Sequence, residues 1–202
     1  MTRGCGNDKT YKEKKTMALK SFYEKDAPIA PLKGKKVATI GYGSQGHAHS
    51  LNLRDSGIEV AVAELPGTPN YKISIGHGFV PGDIKTAMSG ASLIIITLPD
   101  VVQGKIYEKY IKPNLVPGQT LGFCHGFNIH FKYIVSPKGN NVVMIAPKGP
   151  GHLVRSEFQK GGGVPCLVAV AKDATGDALD TALAWGNGIG GARAGIIKTT
   201  FK

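Results

Sequence analysis

Cysteine is scarce in this 202-residue chain, and its spacing excludes two classes of small stabilised protein. The three cysteines, Cys5, Cys124 and Cys166, are odd in number, far apart and without a C-x-x-C pair. A disulfide framework needs an even set and a zinc ribbon needs closely spaced pairs, so we expect neither. Free thiols fit a reducing compartment, and we expect the cytoplasm.

Long apolar runs are also missing. No apolar stretch approaches the ~18 residues that a membrane-spanning helix needs, and we expect no secretory signal and no membrane partner. With 42% hydrophobic and 19% charged residues, the composition is that of a soluble globular protein.

Acidic residues are outnumbered, with 14 Asp and Glu against 25 Lys and Arg, so the formal net charge is +11. More than half of this excess lies in residues 1–36, which hold ten basic and four acidic side chains. No aromatic-interleaved basic patch and no nucleic-acid motif accompany the charge, so we expect no nucleic-acid partner. Residues 1–21 are interpreted as a basic, flexible arm.

From Lys35 onwards, short β-branched runs alternate with stretches of helical spacing. The runs predict strands buried on both faces, at 36–40, 59–63, 93–98, 120–124, 142–146 and 165–171. Covering helices are predicted at 45–54, 101–111, 128–135, 153–159 and 176–185. Residues 22–197 are thus predicted to form one α/β domain: a doubly wound, Rossmann-like, mostly parallel sheet with helices on both faces. The glycine-rich segment 186–195 is interpreted as a junction into a missing segment.

The strongest local motif is Gly41-Tyr42-Gly43-Ser44-Gln45-Gly46, a G-x-G-x-x-G between a predicted strand and a predicted helix. Gly41 would permit a tight turn, Gly43 would let the backbone approach a pyrophosphate, and Gly46 would let helix and strand pack closely. The next strand ends at Glu64, 23 positions after Gly41, where an acid can accept a hydrogen bond from a ribose 2′-hydroxyl. The pattern predicts a dinucleotide site.

The loop after Glu64 bears on which dinucleotide binds. A 2′-phosphate usually requires a basic residue in this loop, and its only cation, Lys72, lies beyond the turn. The loop therefore favours NADH over NADPH. The alternative, that Thr68, Asn70 and Lys72 together hold a phosphate, stays open.

Three further segments follow predicted strands, where ligands sit in open α/β sheets: 98–103, 124–128 and 146–152. His125 beside a glycine could reach a substrate oxygen, and Lys148 could stabilise developing negative charge. Their occurrence at consecutive strand ends, after a dinucleotide motif, favours a functional role.

Together these segments resemble a known family. The stretches 41–49, 125–130, 146–152 and 198–202 closely resemble the N-terminal cofactor domain of ketol-acid reductoisomerase, and the resemblance runs from about Phe22 to the end of the chain. It implies an NAD(P)H- and magnesium-dependent enzyme of branched-chain amino-acid biosynthesis. Such an enzyme moves an alkyl group in 2-acetolactate or 2-aceto-2-hydroxybutyrate and reduces the product to a 2,3-dihydroxy acid.

Carried over by position, the resemblance implies a role for several residues. Tyr42, Gly43, Ser44 and Gln45 would form the pyrophosphate loop, and Gly151 would lie close to the nicotinamide end. His125 matches an active-site histidine, and Lys148 matches a lysine near the metals and the substrate. The segment that would line the cofactor consists of Asp100, Val101, Val102 and Gln103.

Two departures from the family qualify these expectations. The family commonly has an arginine at the position of Leu65 and serines at the positions of Thr68 and Asn70, which argues against its usual NADPH preference here. In the family, the segment matching 198–202 leads into a helical domain whose acidic residues bind two Mg²⁺ ions. We therefore interpret 198–202 as the start of an absent C-terminal helical domain and expect Mg²⁺ only with that domain.

Two other functions stay open beside the cofactor half of a reductoisomerase. One is a stand-alone NAD(P)-dependent dehydrogenase of a small hydroxy or keto acid, and the other is a dinucleotide-binding module without catalysis. In this chain we expect no metal ligands, since Asp100 and Glu157 are scattered acids. We expect a small-molecule substrate and, at full length, a homo-oligomer, while the 202-residue chain alone is expected to be inactive.

Overall fold

Runs of Val, Ile and Ala form the central strands of one sheet in the computed structural model, which describes residues 19–201. The eight strands are β1 (Ser21–Phe22), β2 (Lys36–Ile40), β3 (Glu59–Ala63), β4 (Ala91–Ile96), β5 (Thr120–Phe123), β6 (Asn141–Pro147), β7 (Cys166–Lys172) and β8 (Ile196–Lys198). Nearly every residue of β2, β4, β5 and β6 is buried, because helices cover both faces of the sheet.

The connections contain the covering helices. They are α1 (Ser44–Asp55), α2 (Pro69–Gly76), α3 (Ile84–Met88), α4 (Asp100–Ile106), α5 (Phe127–His130), α6 (Gly151–Gln159), α7 (Ala178–Gly188) and α8 (Gly191–Ala194). A π-helical turn, Tyr107–Ile111, extends α4. Side-chain caps start two of the helices, because the Thr68 and Asp83 oxygens accept the N–H groups of Tyr71 and Thr86. No helix within residues 19–201 is long and apolar enough to cross a membrane.

The strand order is β1-β8-β7-β6-β5-β4-β2-β3. All neighbouring pairs are parallel except β1 with β8 and β6 with β7, so the predicted mostly parallel, doubly wound sheet is confirmed. The chain passes from β2 outward to β3 and then returns to place β4 on the other side of β2. Ligands of such sheets bind at this reversal, beyond the carboxyl ends of the strands.

All six predicted strands are present, with ends displaced by at most two residues. The predicted helices at 45–54, 101–111, 153–159 and 176–185 are also confirmed, with the π-helical turn completing the second of them. Helix α2 was not predicted because it has no continuous apolar stripe, and its isoleucines, Ile73 and Ile75, are about half exposed.

The predicted helix at 128–135 is wrong beyond His130. Lys132 has a φ of 60°, a left-handed conformation that ends a helix. The N–H of Ile134 then donates to the carbonyl of Asn128, and the Tyr107 hydroxyl donates to the carbonyl of Val135. These contacts hold the segment after His130 in an irregular, non-helical path back to the sheet.

The glycine-rich segment 186–195 comprises the end of α7, α8 and the turns around it, and it leads into a strand of the sheet and not directly into a missing segment, which corrects its interpretation as a junction. Gly190 and Gly195 have φ values of 90° and 107° and turn the chain on either side of α8. Strand β8 then inserts between β1 and β7, and Ile197 pairs with Ser21, the last residue of the predicted arm. The rest of that arm up to residue 18, and Lys202 at the other end, lie outside the described residues.

Two buried clusters pack on opposite faces of the sheet. One joins α7 to the sheet around the fully buried Trp185, and the other joins α3 and the π-helical turn to β4 and β5 around Tyr107. Gly122 in β5 lies directly under Trp185, since a Cβ at this glycine would be 2.9 Å from the indole ring. A glycine inside a strand here marks the space that the tryptophan occupies.

We expect Gly122→Ala to lower the free energy of unfolding by about 1–3 kcal/mol, because the new methyl group overpacks the core against Trp185. Urea denaturation followed by circular dichroism measures this loss. Gly76→Ala is the matched control, because a Cβ at this position would meet no atom within 4 Å. Alanine has a higher helix propensity than glycine, and Gly76 is the last residue of α2, so the stability of this variant should stay equal or rise. Equal stabilities of the two variants would contradict the packing argument.

Candidate functional site

The glycine loop lies between the end of β2 and the start of α1, at the point where the winding of the sheet reverses. Gly41 has a φ of 94°, and its carbonyl accepts the Thr97 hydroxyl at 2.8 Å. A Cβ on Gly46 would lie 2.2 Å from the Gly41 carbonyl oxygen. The tight turn at Gly41 and the close packing at Gly46 are therefore as predicted.

The first turn of α1 can accommodate an anion. A Cβ on Gly43 would meet no atom within 4 Å, so the space above the loop is open. The first N–H groups of a helix have no partner within it, and here they belong to Ser44, Gln45 and Gly46, at the positive end of the helix dipole. The loop geometry thus fits a pyrophosphate, and the contact predicted for Gly43 stays a prediction.

Tyr42 has a different role from its neighbours in the loop. Its side chain is 1% exposed, packs edge-on against Phe79, and its hydroxyl lies 3.0 Å from Nδ1 of His77. Burial raises the pKa of Tyr42 to about 12, although the positive charges of Arg54 and Arg155 act in the opposite direction. The buried ring anchors the loop in the core, so it is not itself available to a ligand in the crevice.

Glu64 ties the end of β3 to the glycine loop. Its Oε2 accepts the Tyr42 N–H at 2.7 Å, and its Oε1 accepts the Leu65 N–H at 3.0 Å and contacts the Thr68 hydroxyl at 3.3 Å. A carboxylate offers about four acceptor positions, so the two backbone N–H groups fix it and leave one position on Oε2 for a ligand.

The rest of the second loop is more exposed. Leu65 is 72% exposed and Asn70 is half-buried in the first turn of α2. The Thr68 hydroxyl accepts the Tyr71 N–H and can donate to the Leu65 carbonyl at 3.0 Å. Thr68 is therefore engaged as the cap of α2.

A buried chain of hydrogen bonds joins the core to the glycine loop. The Trp185 indole N–H donates to His49 Nδ1 at 3.1 Å, and His49 Nε2 lies 3.2 Å from Gln45 Oε1. Because the indole can only donate, Nδ1 of His49 accepts and Nε2 carries the proton that bonds Gln45. The Gln45 amide then donates to the Gly149 carbonyl at 2.9 Å, next to Lys148.

A second contact holds the same two loops together. The N–H of Gly151 donates to the Ser44 hydroxyl at 3.1 Å, and a Cβ on Gly151 would lie 1.6 Å from the Ser44 carbonyl oxygen. Only glycine fits this approach of α6 to α1. Gly151 therefore adjoins the pyrophosphate loop, and its predicted position near the nicotinamide stays a prediction.

The segment after β4 combines exposed apolar and buried polar side chains. Val101 and Val102 are 86% and 39% exposed, so they can cover an apolar ring. Gln103 is 5% exposed, and its amide donates to the Leu98 carbonyl at 2.6 Å and accepts from Asn128 at 3.1 Å. Gln103 therefore holds the segment in place from inside, and a cofactor contact by its side chain stays a prediction.

The two predicted catalytic residues follow neighbouring strands, β5 and β6. The His125 side chain is 70% exposed, its Nδ1 lies 3.5 Å from Asp100 Oδ2, and the Phe127 N–H points to the same nitrogen at 3.3 Å. Lys148 is exposed, and its backbone N–H donates to the Pro165 carbonyl. Both side chains can thus reach a ligand at the carboxyl edge of the sheet.

The carboxylates of residues 19–201 do not fit a site for two metal ions. Asp100 Oδ1 accepts from Gln103, and Glu157 Oε1 pairs with Lys160 at 2.8 Å. No group of three or more His, Cys, Asp or Glu side chains in this range could hold a metal ion.

Three residues that organise the site, His49, Asn128 and Trp185, were not predicted as functional. Only His49 had a local signal, because Gln45 and His49 are four positions apart and share one face of α1. The partners of the other two lie 25 or more positions away along the chain, where no local pattern reaches.

The doubly wound sheet, the glycine loop at its reversal and the acid after β3 define a Rossmann-type domain of the dinucleotide-binding class. A family model described as acetohydroxy acid isomeroreductase, NADPH-binding domain, matches residues 31–195. The chain belongs to this family, the ketol-acid reductoisomerases, as the resemblance implied.

Solved structures agree with this assignment. The chain is similar to an NADH-preferring ketol-acid reductoisomerase from an uncultured archean, with 40% identity and a TM-score of 0.87 over 92% of this chain and 57% of that one. A semialdehyde dehydrogenase NAD-binding protein from Cupriavidus necator matches with 18% identity and a TM-score of 0.71, over 83% of this chain and 63% of that one. A 3-hydroxyisobutyrate dehydrogenase from Mycobacterium tuberculosis matches with 16% identity and a TM-score of 0.58, over 82% and 54%. The last two show a shared fold only.

We expect the stability of the protein to fall by on the order of 3 kcal/mol between about pH 7 and pH 4 because of His49. Burial, and then the charge of His47, lower the His49 pKa from 6.5 to about 3. As the pH falls below the unfolded-state pKa, His49 becomes protonated in the unfolded chain but stays neutral in the folded protein. The unfolded state is therefore stabilised relative to the folded state. Urea denaturation at several pH values measures the slope.

His49→Gln should flatten this pH dependence, because its amide can still donate to Gln45 but does not titrate. His130→Gln, at an exposed histidine, is the control and should leave the slope unchanged. Identical slopes for wild type and His49→Gln would contradict a neutral, buried His49.

Proposed function

We propose that this chain is the cofactor-binding part of a ketol-acid reductoisomerase and binds a nicotinamide dinucleotide across the ends of β2, β3 and β4. The observation that carries the proposal is the link between Glu64 and the Tyr42 N–H, which brings the ribose acceptor and the pyrophosphate loop into one rigid unit. The dehydrogenase and non-catalytic alternatives share this unit, so activity measurements must separate them.

The environment of Glu64 favours NADH. Two backbone N–H groups hold the carboxylate in place, and the remaining acceptor position on Oε2 suits a ribose hydroxyl. A 2′-phosphate at the same place would face a fixed negative charge. Leu65 offers no guanidinium, and Thr68 is already engaged as a helix cap. The similar archaean reductoisomerase is described as NADH-preferring, which supports the proposal, whereas the family model is described as NADPH-binding.

The proposed reaction converts 2-acetolactate or 2-aceto-2-hydroxybutyrate to a 2,3-dihydroxy acid, and the bound dinucleotide would supply the hydride. The exposed imidazole of His125 is proposed to exchange a proton with a substrate oxygen, and the ammonium of Lys148 to stabilise negative charge that develops on it. The bonds from Gln45 to Gly149 and from Gly151 to Ser44 would keep Lys148 at a constant distance from the cofactor loop.

For dinucleotide preference, we expect calorimetric titration to show NADH binding at least as tightly as NADPH. Leu65→Arg should shift the ratio of the two dissociation constants about tenfold toward NADPH, because a guanidinium pairs with a phosphate. Leu19→Arg adds the same charge at a site that is 75% exposed and outside the crevice, and should leave the ratio unchanged.

Two results would contradict these expectations. Tenfold tighter binding of NADPH to the wild type would show that Thr68, Asn70 and Lys72 form a phosphate site. No heat with either dinucleotide, on demonstrably folded protein, would remove the proposal of a cofactor domain.

For activity, we expect the 202-residue chain to bind cofactor without converting 2-acetolactate, even with Mg²⁺ in excess. The acids of residues 19–201 are dispersed, and each 1.36 kcal/mol of lost transition-state stabilisation costs a factor of ten in rate. Oxidation of NADH, followed by its absorbance, measures turnover. Addition of a helical domain from this family should restore it.

Turnover by the chain alone that His125→Ala abolishes would show a complete active site here. Metal-independent oxidation or reduction of another small hydroxy or keto acid would instead support the dehydrogenase alternative.

A further inference from the structure

A second concave site lies beside α1, and none of its lining residues is among those predicted to bind the dinucleotide. Its volume is about 360 Å³, and its walls come from α1, α6 and the residue after α2: His47, Leu51, Arg54, His77, Arg155 and Gln159. We call it the basic cavity. His47, Leu51 and Arg54 occupy positions i, i+4 and i+7, so they share one face of α1 that runs away from the glycine loop.

Protein acceptors hold both guanidinium groups of the basic cavity in place. Arg155 bonds Asp55 at 2.7 Å and Asn52 at 2.8 Å, and Arg54 donates to the His77 carbonyl at 2.6 Å. A guanidinium has five N–H donors, so each arginine keeps donors beyond those contacts. Asp55 is the acid that contacts these arginines, which leaves the pair of guanidiniums with a net positive charge.

The two imidazoles add further donors. Their ring centres are 6.4 Å apart. One nitrogen of each ring makes a hydrogen bond with the protein. Nδ1 of His47 lies 3.1 Å from the Gly43 carbonyl, which can only accept, so this nitrogen carries a proton. Nδ1 of His77 lies 3.0 Å from the Tyr42 hydroxyl. Protonation of either ring would raise the positive charge of the cavity.

The positive charges of the basic cavity oppose one another. The pKa of His77 is lowered, first by burial and then by the charges of His47, Arg54 and Arg155. The groups that act on the His77 ring from each packed element are Tyr42 of the glycine loop, His47 and Arg54 of α1, and Arg155 of α6. An anion in the cavity would reduce this repulsion.

We propose that the basic cavity binds a tetrahedral oxyanion, a phosphate or sulfate group, at a site separate from the dinucleotide crevice. Two fixed guanidinium forks and two imidazoles are the groups that recognise such an anion by charge-assisted hydrogen bonds. The volume accommodates a free phosphate or a phosphate monoester. Sulfate, free phosphate and a phosphate monoester share a tetrahedral, negatively charged group of oxygen atoms, and this group is the proposed ligand.

The proposal predicts a pH dependence of a stated sign. Burial and neighbouring cations lower the His77 pKa, and a bound anion would stabilise its imidazolium form, so binding takes up protons and the affinity falls as the pH rises between about 5 and 8. Sulfate is the probe for this experiment, because its own charge does not change in that range. An affinity for sulfate that stays constant or rises with pH would overturn the role of the His77 imidazole.

Charge changes at Gln159 test the location without removing a cation. Gln159 lines the cavity and is exposed at the last residue of α6. By calorimetry at constant ionic strength, Gln159→Lys should bind sulfate and inorganic phosphate about tenfold more tightly than Gln159→Glu. Lys138→Gln changes the net charge by the same amount as Gln159→Glu but at an exposed position in another loop, and should bind like the wild type.

The last experiment distinguishes a separate site from the crevice. The wild type is titrated with sulfate in the presence and absence of saturating NADH, and again with NADPH. Equal sulfate affinities in all three titrations support a separate site for a free oxyanion. Competition by either dinucleotide would place the sulfate among the phosphates of the cofactor and overturn the proposal, as would equal affinities of the two Gln159 variants.

Discussion

The hydrogen bond from the Tyr42 N–H to the Glu64 carboxylate is the contact on which the cofactor site depends. It joins the loop after β2 to the loop after β3. The two strands are parallel neighbours, so no direct turn links their carboxyl ends. The same carboxylate also accepts the Leu65 N–H, so the second loop takes its position from the first. The buried Tyr42 ring then fixes both loops against the core. Rigid placement of this kind lowers the entropic cost of ordering the two loops when a ligand binds.

Much of the fold could be predicted from the sequence, because strands that are buried on both faces have short continuous runs rich in β-branched residues. The same reasoning failed where one residue overrides local propensity. Nothing in the spacing of 128–135 indicates that Lys132 adopts a left-handed conformation. That conformation accompanies the hydrogen bond from the Ile134 N–H to the Asn128 carbonyl. Strands β1 and β8 were missed because each is two or three residues long and forms only by pairing with a distant partner.

For the site, the glycine motif predicted the backbone geometry at Gly41 and Gly46, because those requirements are local to a strand, a turn and a helix. The motif did not predict the directions of the side chains. Tyr42 and Gln103 stand in the predicted cofactor segments, yet both side chains are buried. The bond between Trp185 and His49 joins residues 136 positions apart, so it arises only when α7 and α1 pack on the same face of the sheet.

The contact between Gly151 and Ser44 also has an electrostatic consequence. It brings together the first residues of α6 and α1, so the positive ends of two helix dipoles converge at one edge of the sheet. Each end is equivalent to about half an elementary charge, fixed in the backbone and independent of pH. The backbone therefore contributes a positive potential at this edge that does not change with pH.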